Sequence, residues 1–395
     1  MKFSTVAGIA TTVVVASAEA NGHRQLISAP DYVSRPLSGF HHGSQSPLGV
    51  SETYNYCNMP RTNAYTYQNV SSDYELIYVE LIHRHHKRTP YASNMLPGDT
   101  KDPNTSYPQI TNGGEIDSFN HGKDLWSVYH DILGFLPEEY DPELVSYRYT
   151  NNNITHAVFN NLIKGMYPGA NVTAELRELD NLEPNIPCSQ ADDLKAAIRS
   201  TDLWYEESNM TIYNELADQD GINKTGYPGF FGSIDHFFDN LSSKTCAGDA
   251  VNVTQEQFDT VMKLGHWEYD YTFYSSPNAT EYGKYRYGNF TTELASHFEQ
   301  VIDGSRTIKY QHNIAHDGSM SGLVALLSDF IDLGFFQWPG MGSEMVFQLY
   351  KANNEDYYLR IMYGGKEIKF TPIEDFFNYL DDLDVAEASA QCSDE

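Results

Sequence analysis

Six consecutive residues, His83-Arg84-His85-His86-Lys87-Arg88, set three imidazoles among three cations. Such a composition suits metal ligation, the binding of a polyanion, or a reaction centre that handles phosphate. For a metal, His83 and His85 point the same way along an extended strand, with His86 or the His41-His42 pair to complete the set. Arg84, Lys87 and Arg88 would repel a divalent cation, and no neighbouring carboxylate in the sequence orients a bound imidazole. No metal and no cofactor are therefore expected. Nucleic acid is excluded as a partner by charge, since 54 acidic residues outnumber 25 Lys and Arg for a net charge of −29. That acidity suits either work in acid, where carboxylates are protonated, or plain solubility.

Phosphate chemistry gives each member of the cluster a task. A phosphomonoester needs a nucleophile, cationic forks for its oxygens and an acid for the leaving alcohol. A neutral imidazole nitrogen can attack phosphorus and form a phosphohistidine that water then hydrolyses. Flanking arginines favour the neutral imidazole and grip phosphate through paired N–H groups. The acid has to come from another part of the chain.

The elements that would position these groups are legible in outline. The run YELIYVELIH, residues 74–83, reads as a buried strand, so the basic cluster caps a strand's carboxyl end, where open α/β sheets bind ligands. In residues 150–169, Ile154, Ala157, Val158, Leu162 and Met166 recur at helical spacing. Residues 180–290 are polar and read as helices with long loops. Residues 293–303 form an amphipathic helix, 307–317 a strand ending in His316-Asp317, and 321–334 a further helix. Residues 345–370 read as strand, Asn-rich turn, strand, Gly-Gly turn, strand. The expected fold is α/β, with a mixed, mainly parallel sheet, helices on both faces and an inserted, mostly helical cap. Its expected parts are a leader (1–20), an N-terminal arm (21–60), a discontinuous core (61–140 and 290–395) and the cap (141–289).

Residues 1–20 read as a secretory signal peptide, with Lys2, an apolar run through Val13–Val15 and Ala18-Glu19-Ala20 as a cleavage site. No later stretch has the roughly 18 consecutive apolar residues of a membrane span. A secreted protein is expected, extracellular or in a vacuole or cell wall. Sequons at Asn69, Asn104, Asn153, Asn171, Asn209, Asn223, Asn240, Asn252, Asn278 and Asn289 fit that route as glycosylation sites. Four cysteines, Cys57, Cys188, Cys246 and Cys392, allow two disulfides in three connectivities. Oligomeric state is not encoded in any readable way.

Arg84-His85-His86-Lys87-Arg88-Thr89-Pro90 resembles the RHGxRxP signature of histidine acid phosphatases, a family that includes phytases. Its second signature, a His-Asp pair after a late strand, is matched by His316-Asp317. The likeness extends through the helix at 147–168, with its Gly-x-Tyr-Pro end, and the C-terminal strands. It spans roughly residues 74–180 and 290–370. The resemblance implies His85 as nucleophile, Arg84 and Arg88 as phosphate clamp, His316 as a further phosphate contact and Asp317 as proton donor. A carboxyl group placed near phosphate and other acids would keep its proton in acid, as a donor must. Taken alone, Asp317 also fits a helix N-cap and His316 a core histidine. The resemblance further implies disulfides Cys188–Cys392 and Cys57–Cys246.

Two residues depart from the family pattern. His86 stands where the family has Gly, and Ile154 stands where its helix carries another phosphate-binding Arg. Losing such a donor costs roughly 3 kcal/mol of transition-state stabilisation. His156 or an arginine from the middle region is the available compensation, while a glycan on Asn153 would crowd the same helix. The expected substrate is a small phosphomonoester, since so acidic a chain poorly matches a highly charged polyphosphate. The alternative is a secreted relative of these enzymes that binds an anion or partner without turning it over.

Overall fold

The computed structural model describes residues 26–34, 54–99, 107–183, 186–331 and 336–393. The leader, most of the arm, His41-His42 and Asn104 lie outside the described residues.

Six strands form one sheet in the order β2-β3-β1-β4-β5-β6. They are β1 (Tyr74–Arg84), β2 (Val145–Tyr149), β3 (Tyr310–Ala315), β4 (Glu344–Ala352), β5 (Tyr357–Tyr363) and β6 (Lys366–Pro372). The expected α/β class and strand positions hold, but the sheet is not mainly parallel. Only β2–β3 and β3–β1 run parallel, whereas β1–β4, β4–β5 and β5–β6 run antiparallel. Tight turns impose this on the last three strands: Gly364 and Gly365, at φ 56° and 73°, make the β5–β6 reversal that a side chain would strain.

The chain's twelve helices among the described residues divide between the sheet's faces and an insert. Ahead of the sheet helices comes α1 (Ala29–Val33), which rests on α8 (Gln255–Asp270): Trp267 Nε1 donates to the Ile27 carbonyl at 2.8 Å. One face of the sheet is covered by α2 (Asn112–Trp126) and α3 (Asn153–Met166), which bury Leu125, Val158 and Leu162 against Val79, Leu81, Tyr310 and Val346. The other face meets α9 (Ala279–Ile302), α10 (Asp317–Ile331) and α11 (Ile373–Asp382), through Phe298, Leu323 and Phe376 against Tyr78, Ile82 and Phe347. Alternate residues of β1 thus face opposite layers, as strand geometry requires. The insert contains α4 (Ser189–Ile198), α5 (Asp202–Ser208), α6 (Ile212–Asp220), α7 (Asp235–Ala247) and α8, and α12 (Val385–Ser393) packs on α9. The helical region therefore starts at α4 and not at residue 141, because β2 pairs with β3 and α3 packs on α2.

Helices α2 and α3 cross closely through two glycines. A Cβ on Gly122 would fall 2.2 Å from the Leu162 carbonyl oxygen, and one on Gly165 would fall 2.2 Å from that of Phe119. Disulfides join Cys57 to Cys246 and Cys188 to Cys392, the pairing that the resemblance implied. The second ties the start of α4 to α12. No helix among the described residues is long and apolar enough to cross a membrane.

Candidate active site

Because β1 and β3 are parallel neighbours, their carboxyl ends bring the two sequence signatures together. Arg84 is in register with Ala315, and the His85 N–H donates to the Ala315 carbonyl at 3.0 Å. His85 is buried, and its ring centroid lies 5.6 Å from that of His316. Its Nδ1 donates to the His86 carbonyl at 3.0 Å, which leaves the lone pair on Nε2, where Arg88 Nε approaches to 3.4 Å. Burial, then Arg88 and Arg84, push its pKa well below the ordinary histidine value, which favours a neutral imidazole with its lone pair on Nε2.

The two arginines are anchored on opposite sides. Arg84 donates to the Pro339 carbonyl at 2.6 Å and the Tyr56 hydroxyl at 3.1 Å, and pairs with Asp317 Oδ2 at 2.9 Å. Arg88 pairs with Asp239 from α7 at 2.7 Å and lies over the Tyr91 ring. Asp317, the first residue of α10, also accepts from Trp338 Nε1 at 2.9 Å and the Gly318 N–H at 2.8 Å. Burial raises its pKa, but Arg84, Arg88, Trp338 and Gly318 outweigh burial and hold the carboxyl below its ordinary value. The expectation of a carboxyl that keeps its proton is thus not met in this arrangement: its neighbours are cations, not the acids anticipated. His316 Nε2 lies 2.9 Å from Thr150 Oγ1, and burial brings its pKa down to about 4.

A cavity of about 350 Å³ opens beside these groups, lined by Arg88, His316 and Asp317 from the sheet side. Arg84 and His85 lie just behind, in contact with it through Asp317 and Arg88. The insert supplies the opposite wall, including Lys195, Arg199, Asp235, Asp239, Glu268 and Tyr269. Arg199 Nε is buried without a hydrogen-bond partner. Burial, then Arg199 and Arg286, lower Lys195 to about 8, while burial, then Asp239 and Glu268, raise Asp235 to about 7. These residues were missed from sequence. The only signal was Lys195 and Arg199 spaced one helical turn apart, a pattern that also marks any solvated helix face.

The anticipated departures resolve unequally. Ile154 is fully buried in the first turn of α3, and His156 lies exposed against Tyr149, so His156 compensates for nothing. Arg199 is the middle-region arginine that reaches the cavity. His83 and His85 do not point the same way: β1 ends at Arg84, after which the chain turns His85 toward His316 while His83 faces α2. The cations of the cluster are each matched, Lys87 by Asp117 at 2.9 Å and the arginines as above.

Among the sequons, Asn69, Asn153, Asn171, Asn209, Asn223 and Asn252 are exposed, and Asn278 and Asn289 half-buried. Asn240 is fully buried and donates to the Asn94 carbonyl and Asp99, which leaves no room for a glycan.

No family model matches the chain. Its fold is that of the phytases: a Hafnia alvei phytase in complex with myo-inositol hexakis sulphate superposes with a TM-score of 0.58 at 12% identity, over 82% of this chain and 99% of that one. Among sequences, Counting factor 60 of Dictyostelium discoideum is 22% identical over 315 residues, 73% of this chain and 72% of that protein. A probable acid phosphatase of the same organism is 30% identical over 112 residues, a quarter of this chain and 24% of its own length.

Proposed function

We propose that the protein is a secreted acid phosphatase that hydrolyses small phosphomonoesters through a phosphohistidine. The observation that carries this reading is the neutral His85 Nε2, fixed beside Arg88 and facing the His316-Asp317 pair from the adjoining strand. The phosphate displaces two carboxylates, Asp317 from Arg84 and Asp239 from Arg88, and takes over their paired N–H bonds. Arg199 and His316 supply the donors that Ile154 cannot. His85 Nε2 attacks phosphorus, the ester oxygen leaves with the proton of Asp317, and water then cleaves the phosphorus–nitrogen bond with Asp317 as base. The far wall offers only Lys195 and Arg199 as cations, set among Asp235, Asp239 and Glu268, which suits a singly phosphorylated substrate better than a polyphosphate. Two disulfides and six exposed sequons support a passage through an oxidising compartment.

The test is p-nitrophenyl phosphate hydrolysis from about pH 3 to 8, beside the His85→Ala variant. Turnover in acid that falls to background in the variant is expected, and turnover that survives His85→Ala would sink the mechanism. A second reading, a binder without turnover, is favoured by Ile154 and by the engagement of both clamp arginines with carboxylates. Phosphate binding with no hydrolysis at any pH would establish it.

A further inference from the structure

Behind the candidate active site, on the α2 face of the sheet, four fully buried histidines meet: His83, His86, His121 and His312. The phosphatase chemistry uses none of them. We propose that His83, His86 and His121 bind a late first-row transition-metal ion, with Zn²⁺ the best fit, as a structural site.

One potential ligand atom from each of the three lies within 4.8 Å of the others. The second nitrogen of each ring is already committed, which fixes where the lone pairs point. His83 Nδ1 donates to the Arg84 carbonyl at 2.8 Å, so its lone pair is on Nε2, a buried atom without a partner. Ser118 Oγ gives its hydrogen to the Gly114 carbonyl at 2.7 Å and so accepts from His86 Nδ1 at 3.0 Å, which puts the His86 lone pair on Nε2. Glu344 accepts from the Thr62 N–H with one oxygen and lies 2.9 Å from His121 Nε2 with the other; as the ionised carboxylate it accepts there too, which puts the His121 lone pair on Nδ1. His86 Nε2 and His121 Nδ1 then face each other at 3.3 Å with no hydrogen to share.

Two lone pairs so placed repel unless a cation lies between them. Zn–N bonds of about 2.0–2.1 Å in tetrahedral geometry put neighbouring nitrogens about 3.3 Å apart. An inward rotation of His83 brings in the third nitrogen, and a water would take the fourth position. Three imidazoles, each oriented by an outer hydrogen bond, one of them to a carboxylate, are the donor set of zinc, copper or nickel; full burial favours a redox-inert ion. Nearby cations are neutralised, Arg61 by Asp124 at 2.8 Å and Lys87 by Asp117, which leaves the Glu344 carboxylate to face the ion. Room for His86 comes from Gly342, where a Cβ would lie 2.9 Å from His86 Nε2. The ion would join the end of β1 to α2 and, through Glu344, to β4. His85 sits in the chain between two of its ligands, so the ion would also stiffen the backbone of the proposed nucleophile.

The full chain, refolded with cobalt(II) as probe, should take up a single ion per chain and show the visible absorption of a tetrahedral site. X-ray absorption of the zinc form should show imidazole scattering from three ligands. Zinc at ~100 times its Kd should raise the unfolding midpoint by about 3 °C. His121→Gln should abolish uptake, while His130→Gln, at a surface histidine paired with Asp131 and Glu138, should leave it intact. Wild-type protein that takes up no ion, or an ion without imidazole scattering, overturns the proposal even where His121→Gln fails to fold. So does uptake that persists in a folded His121→Gln.

Discussion

Asp317 faces two demands that pull its pKa in opposite directions. Paired with Arg84, it is held below its ordinary value and lacks the proton that a leaving group requires. The substrate can bring that proton, because a phosphomonoester is a monoanion below its second ionisation near pH ~6. When it binds Arg84 and Arg88, it removes the cations that depress Asp317 and hands over its proton. The basic limb of kcat/KM should therefore follow the substrate's second pKa and not that of Asp317, and shift when p-nitrophenyl phosphate is replaced by a phosphorothioate of lower pKa. A limb that stays put would assign it to an enzyme group. Asp317→Asn should slow an alkyl phosphate by about 100-fold or more, and p-nitrophenyl phosphate far less, because nitrophenolate leaves without a proton. Equal losses on both substrates would remove the acid role. At this scale the sequence was most legible where chemistry is local: Arg84, His85, Arg88, His316 and Asp317 sit in two short runs at strand ends. Arg199 and Asp239 were hidden, because only the packing of the insert brings α4 and α7 to the same cavity.

Helix α2 holds the most consequential position among the elements. It carries Ser118 and His121, and its start lies against the loop after β1, where a Cβ on Gly114 would fall 2.1 Å from the Lys87 carbonyl oxygen. Its distance from the sheet is set by the glycine crossing with α3. Gly165→Ala forces the helices apart and should cost about 1–3 kcal/mol, or more where backbone meets backbone. The same displacement should lower catalytic rate, since the loop bearing His85 is seated on α2. Denaturant unfolding and steady-state kinetics on one sample check both, and an alanine tolerated without loss would mean that the crossing is not the spacer. The strands were legible because β-branched and aromatic runs were bounded by turns. Their direction was less so. The two turns read in residues 345–370 already required antiparallel neighbours, and a mainly parallel sheet conflicted with that reading. The boundary of the insert was misplaced for a related reason: β2 is five residues long and lies at a sheet edge, so nothing local distinguishes it from a loop.

For the molecule as a whole, an excess of 54 acidic over 25 basic residues suits an acidic medium, yet the buried histidines argue for the opposite pH dependence. Among the described residues, seven histidines are at least nine-tenths buried: His83, His85, His86, His121, His266, His312 and His316. Burial is the first cause of a lowered pKa in each, to about 4 for His83, His266 and His316. Between pH 6.5 and about 4 the unfolded chain takes up protons at these sites that the folded chain does not, so stability falls as pH falls through that window. Seven acids among the described residues act in the other direction, burial first in each: Asp235 is raised to about 7, and Asp124, Glu183, Glu207, Asp220, Glu268 and Glu344 are also raised. These hold protons that the unfolded chain has lost, which costs stability as pH rises above about 4. These acids equal the histidines in number, so the histidine contribution is the slope that a variant lacking one of them loses. A bound ion would not reverse it, because ligands held by a metal are equally closed to protons. Stability from urea titrations should therefore drop more steeply from pH 6.5 to about 4.5 in the wild type than in His85→Ala or His121→Gln, by up to roughly 1.4 kcal/mol per pH unit for the proton each lost histidine would take up on unfolding. A slope equal to that of the variants would mean that these histidines are charged within the fold. It would then remove at one stroke the neutral Nε2 on which attack by His85 depends and the lone pairs that a three-histidine site requires.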